Sequence, residues 1–152
     1  MTSMNSIIEV REYNGGVIDR LSQPVKPCMN PNRRTLLVWC RNGDWPAVRN
    51  ANFVILKSDL KIKDSDGNSP LYYACQSENL DLVRFLLRKG ANADEKNENG
   101  NTCLHIGFMT NHLEIVQTLI GHGASLEIKN VNGKIPSKYA DEDFLDEVRD
   151  SM

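Results

Sequence analysis

Residues 64–74 read DSDGNSPLYYA and residues 97–107 read NENGNTCLHIG, so one pattern returns after 33 residues without a gap. Residues 130–136, NVNGKIP, begin a third copy. The agreement continues downstream, where Leu82-Val83 matches Ile115-Val116 and Gly90-Ala91 matches Gly123-Ala124. A repeat of this length predicts a stack of similar supersecondary units rather than one irregular core.

The chemistry of each unit predicts a hairpin, a helix, a turn and a second helix. An Asp or Asn three residues before a Gly favours a tight turn, because Gly adopts a positive φ without strain. Ser69 and Thr102 stand where they can cap the following helix, and Pro70 suits its first turn. Ala74 and Gly107 are small enough for neighbouring helices to approach closely, as the stacking of identical units requires. The second helix presents one apolar face and ends at Gly90; that face contains Leu82, Val83, Leu86 and Leu87.

This unit resembles the ankyrin repeat, whose signature is a Gly turn, Thr-Pro-Leu-His, Ala-Ala, paired valines, leucines and Gly-Ala. The chain gives Ser-Pro-Leu-Tyr at residues 69–72 and Thr-Cys-Leu-His at residues 102–105. The resemblance implies an all-α fold, an ankyrin-repeat solenoid of stacked helix-turn-helix units with short β-hairpin loops. It also implies end repeats with polar outer faces, since an end unit packs against only one neighbour.

On this basis we divide the chain into two parts. Residues 1–28 are expected to be an extended or irregular N-terminal leader, and residues 29–152 an ankyrin-repeat domain. Within that domain we expect a degenerate first repeat at 29–63, full repeats at 64–96 and 97–129, and a C-terminal cap at 130–152. The first repeat has about two extra residues between its halves and Trp39 where the family has Ala, so its second helix departs most from the pattern.

The leader combines structure-breaking residues with apolar ones. Gly15-Gly16 and closely spaced prolines oppose regular structure, yet Ile7, Ile8 and Val10 belong to an apolar set too large for a solvated linker. We therefore interpret the leader as a second binding element that orders against a partner.

Composition narrows the class of protein. The chain has 152 residues, 25% charged residues and a net charge of -2, and it shows no apolar run long enough for a membrane span or secretory signal. Its four cysteines include no Cys-x-x-Cys pair. We expect an intracellular, cytoplasmic protein, with a cytoskeletal or organellar assembly as a more specific possibility.

The residues that suggest catalysis have structural interpretations. In the ankyrin family, His105 and His112 correspond to positions whose rings form hydrogen bonds between loops, and His122 is expected to be exposed. The acidic residues from Asp141 to Glu147 lack the Gly-centred loop of a calcium site, so they indicate a solvated cap that favours a helix N-terminus. No nucleophile triad, phosphate loop or metal-spaced pair is present. The sequence predicts no enzyme activity, no cofactor and no small-molecule substrate.

The predicted function is recognition of another protein. By the resemblance, the variable positions are the hairpin residues around each Gly and the residues after the small pair of the first helix, and together they line a concave surface. Tyr72, Arg41 and Met109 are the expected hot spots. The full predicted interface consists of Arg41, Asn42, Ser65, Asp66, Asn68, Tyr72, Gln76, Ser77, Glu98, Asn99, Asn101, Met109, Thr110, Val131, Asn132 and Lys134.

Two alternatives stay open. The protein could be a small structural subunit fixed in a large cytoskeletal, axonemal or organellar assembly, with the leader threaded along a neighbour. A regulatory or nucleic-acid-associated role would use the basic N-terminal half, where Arg33, Arg34, Arg41 and Arg49 are candidate contacts. That patch has only Trp39 and Trp45 as aromatic platforms, so nucleic acid is the least favoured partner.

Overall fold

Helices account for most of the regular structure. The computed structural model describes residues 33–51 and 55–152, and within these residues it contains seven α-helices and two 3-10 turns. The helices are α1 Arg33–Arg41, α2 Trp45–Asn50, α3 Pro70–Gln76, α4 Leu80–Arg88, α5 Cys103–Met109, α6 Leu113–Gly121 and α7 Glu142–Asp150. The 3-10 turns are Asp59–Lys61 and Pro136–Tyr139.

The helices pack in two layers. One layer runs α1, α3, α5 and the 3-10 turn Pro136–Tyr139, each in contact with the next. The other runs α2, α4, α6 and α7 in the same order, and each of the first three pairs also packs within its own repeat. The architecture is the all-α repeat solenoid that the sequence predicts.

The core lies between the layers and continues from one repeat into the next. Leu82, Leu86 and Val83 of α4 have no exposed surface, and neither do Ile115 and Leu119 of α6. The predicted apolar face of the second helices is therefore confirmed, and it packs where adjacent repeats meet. Because each repeat buries its apolar face only against its neighbours, this shared core joins the units into one structure.

Local signals at the helix ends agree with the predictions. Ser69 Oγ accepts a hydrogen bond from the Tyr72 amide at 3.3 Å and so caps α3. Gly90 has a φ of 98°, as expected of a residue that ends a helix in the left-handed region. The turn between the paired helices also needs a positive φ, and the three repeats meet this need with Gly43, Glu78 and Asn111.

The close approach at Gly107 differs from the prediction in its partner. A Cβ placed on Gly107 would lie 2.9 Å from Val116 Cγ2, which belongs to α6 of the same repeat. The small residue is therefore needed for packing inside the repeat, whereas the sequence argument placed the approach between repeats.

Two further details refine the predicted units. The hairpins form tight turns, and the described residues contain no β-strand, so the predicted β-hairpin loops have turn geometry without strand pairing. Asp44 in the first repeat and the equivalent helix cap in the second, Asn79, are 35 residues apart. Farther along the same two repeats, the equivalent residues Leu60 and Ala93 are 33 residues apart. The extra residues thus lie after Asp44, beyond the turn between the two helices. The second helix, α2, is present but has 6 residues where α4 has 9.

Candidate functional site

Each hairpin is held by the side chain of its first residue. Asn97 Oδ1 accepts hydrogen bonds from the amides of Asn99 and Asn101, both at 3.0 Å. Asn130 Oδ1 accepts in the same way from the amides of Asn132 at 3.0 Å and Lys134 at 3.1 Å. Asx turns of this kind fix the backbone of the tip residues. The hairpin tips are therefore presented in one conformation.

Successive hairpins are also bonded to each other. Asn97 Nδ2 donates to Asn68 Oδ1 at 3.0 Å, and Asn130 Nδ2 donates to Asn101 Oδ1 at 2.9 Å. We call these two bonds the amide ladder. Two backbone hydrogen bonds run beside the amide ladder. The Glu98 amide donates to the Asp66 carbonyl and, one repeat later, the Val131 amide donates to the Asn99 carbonyl. A surface ordered in this way loses little conformational entropy when it binds a partner.

Asp64 begins the first of these hairpins with a carboxylate in place of an amide. It accepts hydrogen bonds from the amides of Asp66 and Asn68 and from the hydroxyl of Tyr73. Burial alone would raise the pKa of Asp64, but these hydrogen bonds outweigh burial and lower the pKa below its usual value of 3.8. Because an ionised carboxylate donates no hydrogen bond, the amide ladder begins at Asn97.

His105 is a structural link between hairpins, as the family position implied. Its side chain is fully buried. The Thr102 amide donates to Nδ1 at 3.0 Å, so the ring proton is on Nε2, which donates to the Lys134 carbonyl at 3.0 Å. Burial lowers the pKa of His105 below 6.5, although the bond to Lys134 opposes that shift. The neutral imidazole therefore joins the hairpin of one repeat to that of the next.

Most of the predicted interface residues lie at the surface. Ser77, Asn101 and Thr110 are half-buried, and the hydroxyls of Ser77 and Thr110 donate to carbonyls in their own helices. We call the exposed members the hairpin face: Arg41, Asn42, Ser65, Asp66, Gln76, Glu98, Asn99, Met109, Val131, Asn132 and Lys134.

The structure corrects the assignment of Asn68 and Tyr72 to the interface. Both are buried, with 9% and 8% of their surface exposed. Asn68 is occupied by the amide ladder and by a contact from its Nδ2 to the Tyr73 hydroxyl. Tyr72 stands in the same helix position as the buried His105, and its ring packs edge-on against Tyr73 with centroids 6.4 Å apart. An aromatic residue at this position faces the stack, so it is not available as a hot spot.

Sequence reasoning missed a groove between the first repeat and the hairpin that begins at Asp64. The groove has a volume of about 380 Å³, and the described residues that line it include only two predicted interface residues, Arg41 and Ser65. The remaining lining residues combine an apolar floor with two charged residues: Leu37, Val38, Ile62, Lys63, Asp64 and Tyr73. The apolar character of residue 38 was visible in the sequence, but its exposure depends on how α1 packs.

Two residues of the proposed basic patch, Arg41 and Arg49, lie in the first pair of helices. Arg41 ends α1, and Arg49 lies in the last turn of α2. Since a short turn reverses the chain between these helices, their C-terminal ends point in opposite directions. The side chains of Arg33 and Arg34 lie outside the described residues.

The described thiols are buried. Cys40, Cys75 and Cys103 are unpaired and inaccessible, and Cys28 lies outside the described residues. Burial raises the pKa of Cys40 to about 12, so its thiol stays protonated near neutral pH. Among the described residues, no group of three or more His, Cys, Asp or Glu side chains is placed to hold a metal ion.

At the C-terminal end, Asp141 caps α7, because its Oδ1 accepts from the Phe144 amide at 2.9 Å. The acidic run therefore stabilises a helix N-terminus, as expected. None of the helices in the described part of the chain combines the length and apolar character needed to cross a bilayer.

The chain matches a known protein family. A family model for ankyrin repeats matches residues 13–130 in three copies. The matched range starts inside the predicted leader, residues 1–28, whose structure lies outside the described residues, and it ends where the predicted cap begins. No curated protein matches the chain.

Proposed function

Because the chain belongs to the ankyrin-repeat family, we propose that it is a binding module that docks a partner protein on its hairpin face. Ankyrin repeats are generally non-catalytic and generally serve protein–protein interaction. The assignment of the docking surface to these particular residues is part of the proposal.

The observation that carries the proposal is an exposed row along the first helices. Arg41, Gln76 and Met109 are the last residues of α1, α3 and α5, and all three are exposed. The residue before each of them is buried: Cys40, Cys75 and Phe108. The row is therefore free of core packing, and its chemistry changes from cationic to polar to apolar along the stack. A surface with this freedom can be fitted to one partner without changing the fold.

Two apolar side chains supply anchors within the polar hairpin face. Met109 is 40% exposed and Val131 is 68% exposed. Val131 lies at the tip of the last hairpin, where its amide is bonded to the Asn99 carbonyl at 3.0 Å. Burial of such residues against a partner supplies hydrophobic affinity, while the surrounding amides and charges give specificity.

A capture experiment tests the proposal. The full chain carrying Met109→Glu and Val131→Glu is used as bait beside the wild type, and captured proteins are quantified by mass spectrometry. We expect the double variant to lose the specific partner while its circular dichroism spectrum is unchanged. Leu56→Glu is the control, since Leu56 is 63% exposed but lies outside the hairpin face. Equal capture by wild type and double variant would contradict the proposal.

Three expectations from the sequence remain predictions. The leader at residues 1–28 as a second contact, and the alternative role as a fixed structural subunit, depend on residues outside the described part. The intracellular location is likewise a prediction. Comparing capture by the full chain with capture by residues 29–152 tests the leader, since loss of a partner only in the shorter chain would assign that contact to it.

A further inference from the structure

The groove beside α1 exposes an apolar position that the other repeats bury. Val38 stands in the same helix position as Tyr73 and Ile106. Val38 is 52% exposed, whereas Tyr73 and Ile106 are each 8% exposed. Ile62 and the ring of Tyr73 extend this apolar surface within the same groove. The first repeat therefore presents a small apolar floor that has no counterpart farther along the stack.

Two cations border this floor. The Arg41 guanidinium lies 5.7 Å from the centroid of the Tyr73 ring, and Lys63 Nζ donates to the Lys96 carbonyl at 2.9 Å. These contacts position the two charges but do not neutralise them. In residues 33–51 and 55–152, neither cation has a carboxylate oxygen within 4.0 Å.

Among the described residues that line the groove, the one carboxylate is already occupied. Asp64 accepts hydrogen bonds from the Tyr73 hydroxyl and from the amides of Asp66 and Asn68. Its negative charge is therefore satisfied by its own hairpin. A ligand that complements the groove would therefore place an anion next to an apolar group.

We propose that this groove binds an extended peptide segment of a partner protein, with an apolar side chain against Val38 and Ile62 and an adjacent Asp or Glu paired with Arg41 and Lys63. The inference rests on the proposed function and names the chemistry of the segment recognised. The volume of about 380 Å³ is at the lower end of the range for ligand pockets, roughly 300 to 1,000 Å³, and suits one anchoring side chain. Arg41 and Lys63 are exposed in the free chain, but an apolar side chain bound on the floor would exclude water beside them, so a carboxylate paired with them there would be less screened than in open solvent.

Matched peptide libraries test the proposal. Random peptides displaying an apolar residue beside Asp or Glu are selected against the full chain, in parallel with libraries that place Lys or Arg, or Asn or Gln, at the acidic position. We expect only the acidic library to be enriched. The best acidic peptide is then synthesised with a fluorophore, and its affinity is measured by fluorescence polarisation.

Variants assign the binding to the groove. Arg41→Glu and Lys63→Glu should each weaken the acidic peptide by roughly tenfold or more, as expected for loss of a close charge pair. Val38→Ala, which leaves the charges intact, should weaken it less, and its circular dichroism spectrum should match that of the wild type. Arg84→Glu is the control for net charge, because Arg84 is exposed on α4 in the other helix layer. It should change the affinity by no more than about twofold, since distant surface charges are screened.

Several results would overturn the inference. Enrichment of peptides without acidic residues would do so, as would an affinity that Arg41→Glu and Lys63→Glu leave unchanged. Nuclear magnetic resonance contacts between residues 1–32 and the Val38 methyls in the free chain would show that the groove is filled from within. If the inference failed while Met109→Glu with Val131→Glu still abolished capture of the partner, the proposed function would stand and only this groove would be withdrawn.

Discussion

The side-chain amide of Asn97 donates a hydrogen bond to Oδ1 of Asn68 at 3.0 Å and so joins two successive hairpins. The oxygen of the same Asn97 side chain closes its own turn. One side chain thus holds a hairpin and connects it to the preceding repeat. The fixed arrangement of the hairpins that carry the hairpin face therefore depends on both hydrogen-bonding roles of the Asn97 side chain.

Asn97→Asp separates the two roles. The variant keeps an acceptor for its own turn, as Asp64 does in the previous repeat, but it has no N–H for Asn68. We expect a loss of about 1 to 3 kcal/mol in the free energy of unfolding, because a buried acceptor loses its donor. Urea denaturation measures it. Asn99→Asp is the control: it makes the same change at an exposed tip and should have little effect, and an equal loss in both variants would contradict the ladder.

Buried His105 predicts that the protein is destabilised by mild acid. The folded state holds His105 neutral with a lowered pKa, so the unfolded state binds a proton more readily below its own value of 6.5. This contribution to stability is complete above pH 6.5 and is lost as the pH falls from there towards the lower pKa of the folded state. Urea denaturation at a series of pH values should show a slope in this window that His105→Gln reduces. A slope insensitive to His105→Gln would refute the assignment.

Two glycine substitutions are expected to have opposite signs. Gly107→Ala places a Cβ 2.9 Å from Cγ2 of the buried Val116, so we expect it to lower stability by about 1 to 3 kcal/mol. Gly121→Ala introduces a Cβ with no heavy atom within 4 Å and should raise stability by up to about 1 kcal/mol. Thermal denaturation of the pair is the check. If both variants gained stability, the tight packing of α5 against α6 would be wrong.

Core truncation tests the shared packing between repeats. Leu86 and Leu119 are fully buried in α4 and α6. Leu86→Ala or Leu119→Ala should cost roughly 2 to 5 kcal/mol through lost burial and a residual cavity. Leu56→Ala, at a largely exposed leucine, is the control. A shift of the melting temperature no larger in the core variants than in the control would exclude these positions from the core.

The sequence predicts the elements whose chemistry is local. Ser69, Gly90 and the Asx residues of the hairpins act within a few residues of themselves, so a single sequence identifies their roles. Leu82 and Leu86 follow from helical spacing in the same way. The 33-residue period then places these elements in a stack.

The remaining features depend on packing between elements. Tyr72 and Asn68 look like surface residues in the sequence, but the position of the next repeat buries them. The partner of Gly107 depends on the crossing of α5 and α6, which no local pattern encodes. Val38 is apolar in the sequence, and only the geometry of the first repeat leaves it open beside Arg41 and Lys63.

The central claim is that a partner protein docks on the hairpin face, and site-specific photo-crosslinking tests it most directly. A photoreactive amino acid replaces Met109 in one full-length protein and Arg84, in the opposite helix layer, in another, and both are irradiated in cells. We predict a discrete crosslinked protein from position 109 and none from position 84. A discrete adduct from position 84 alone, or none from position 109, would contradict the claim.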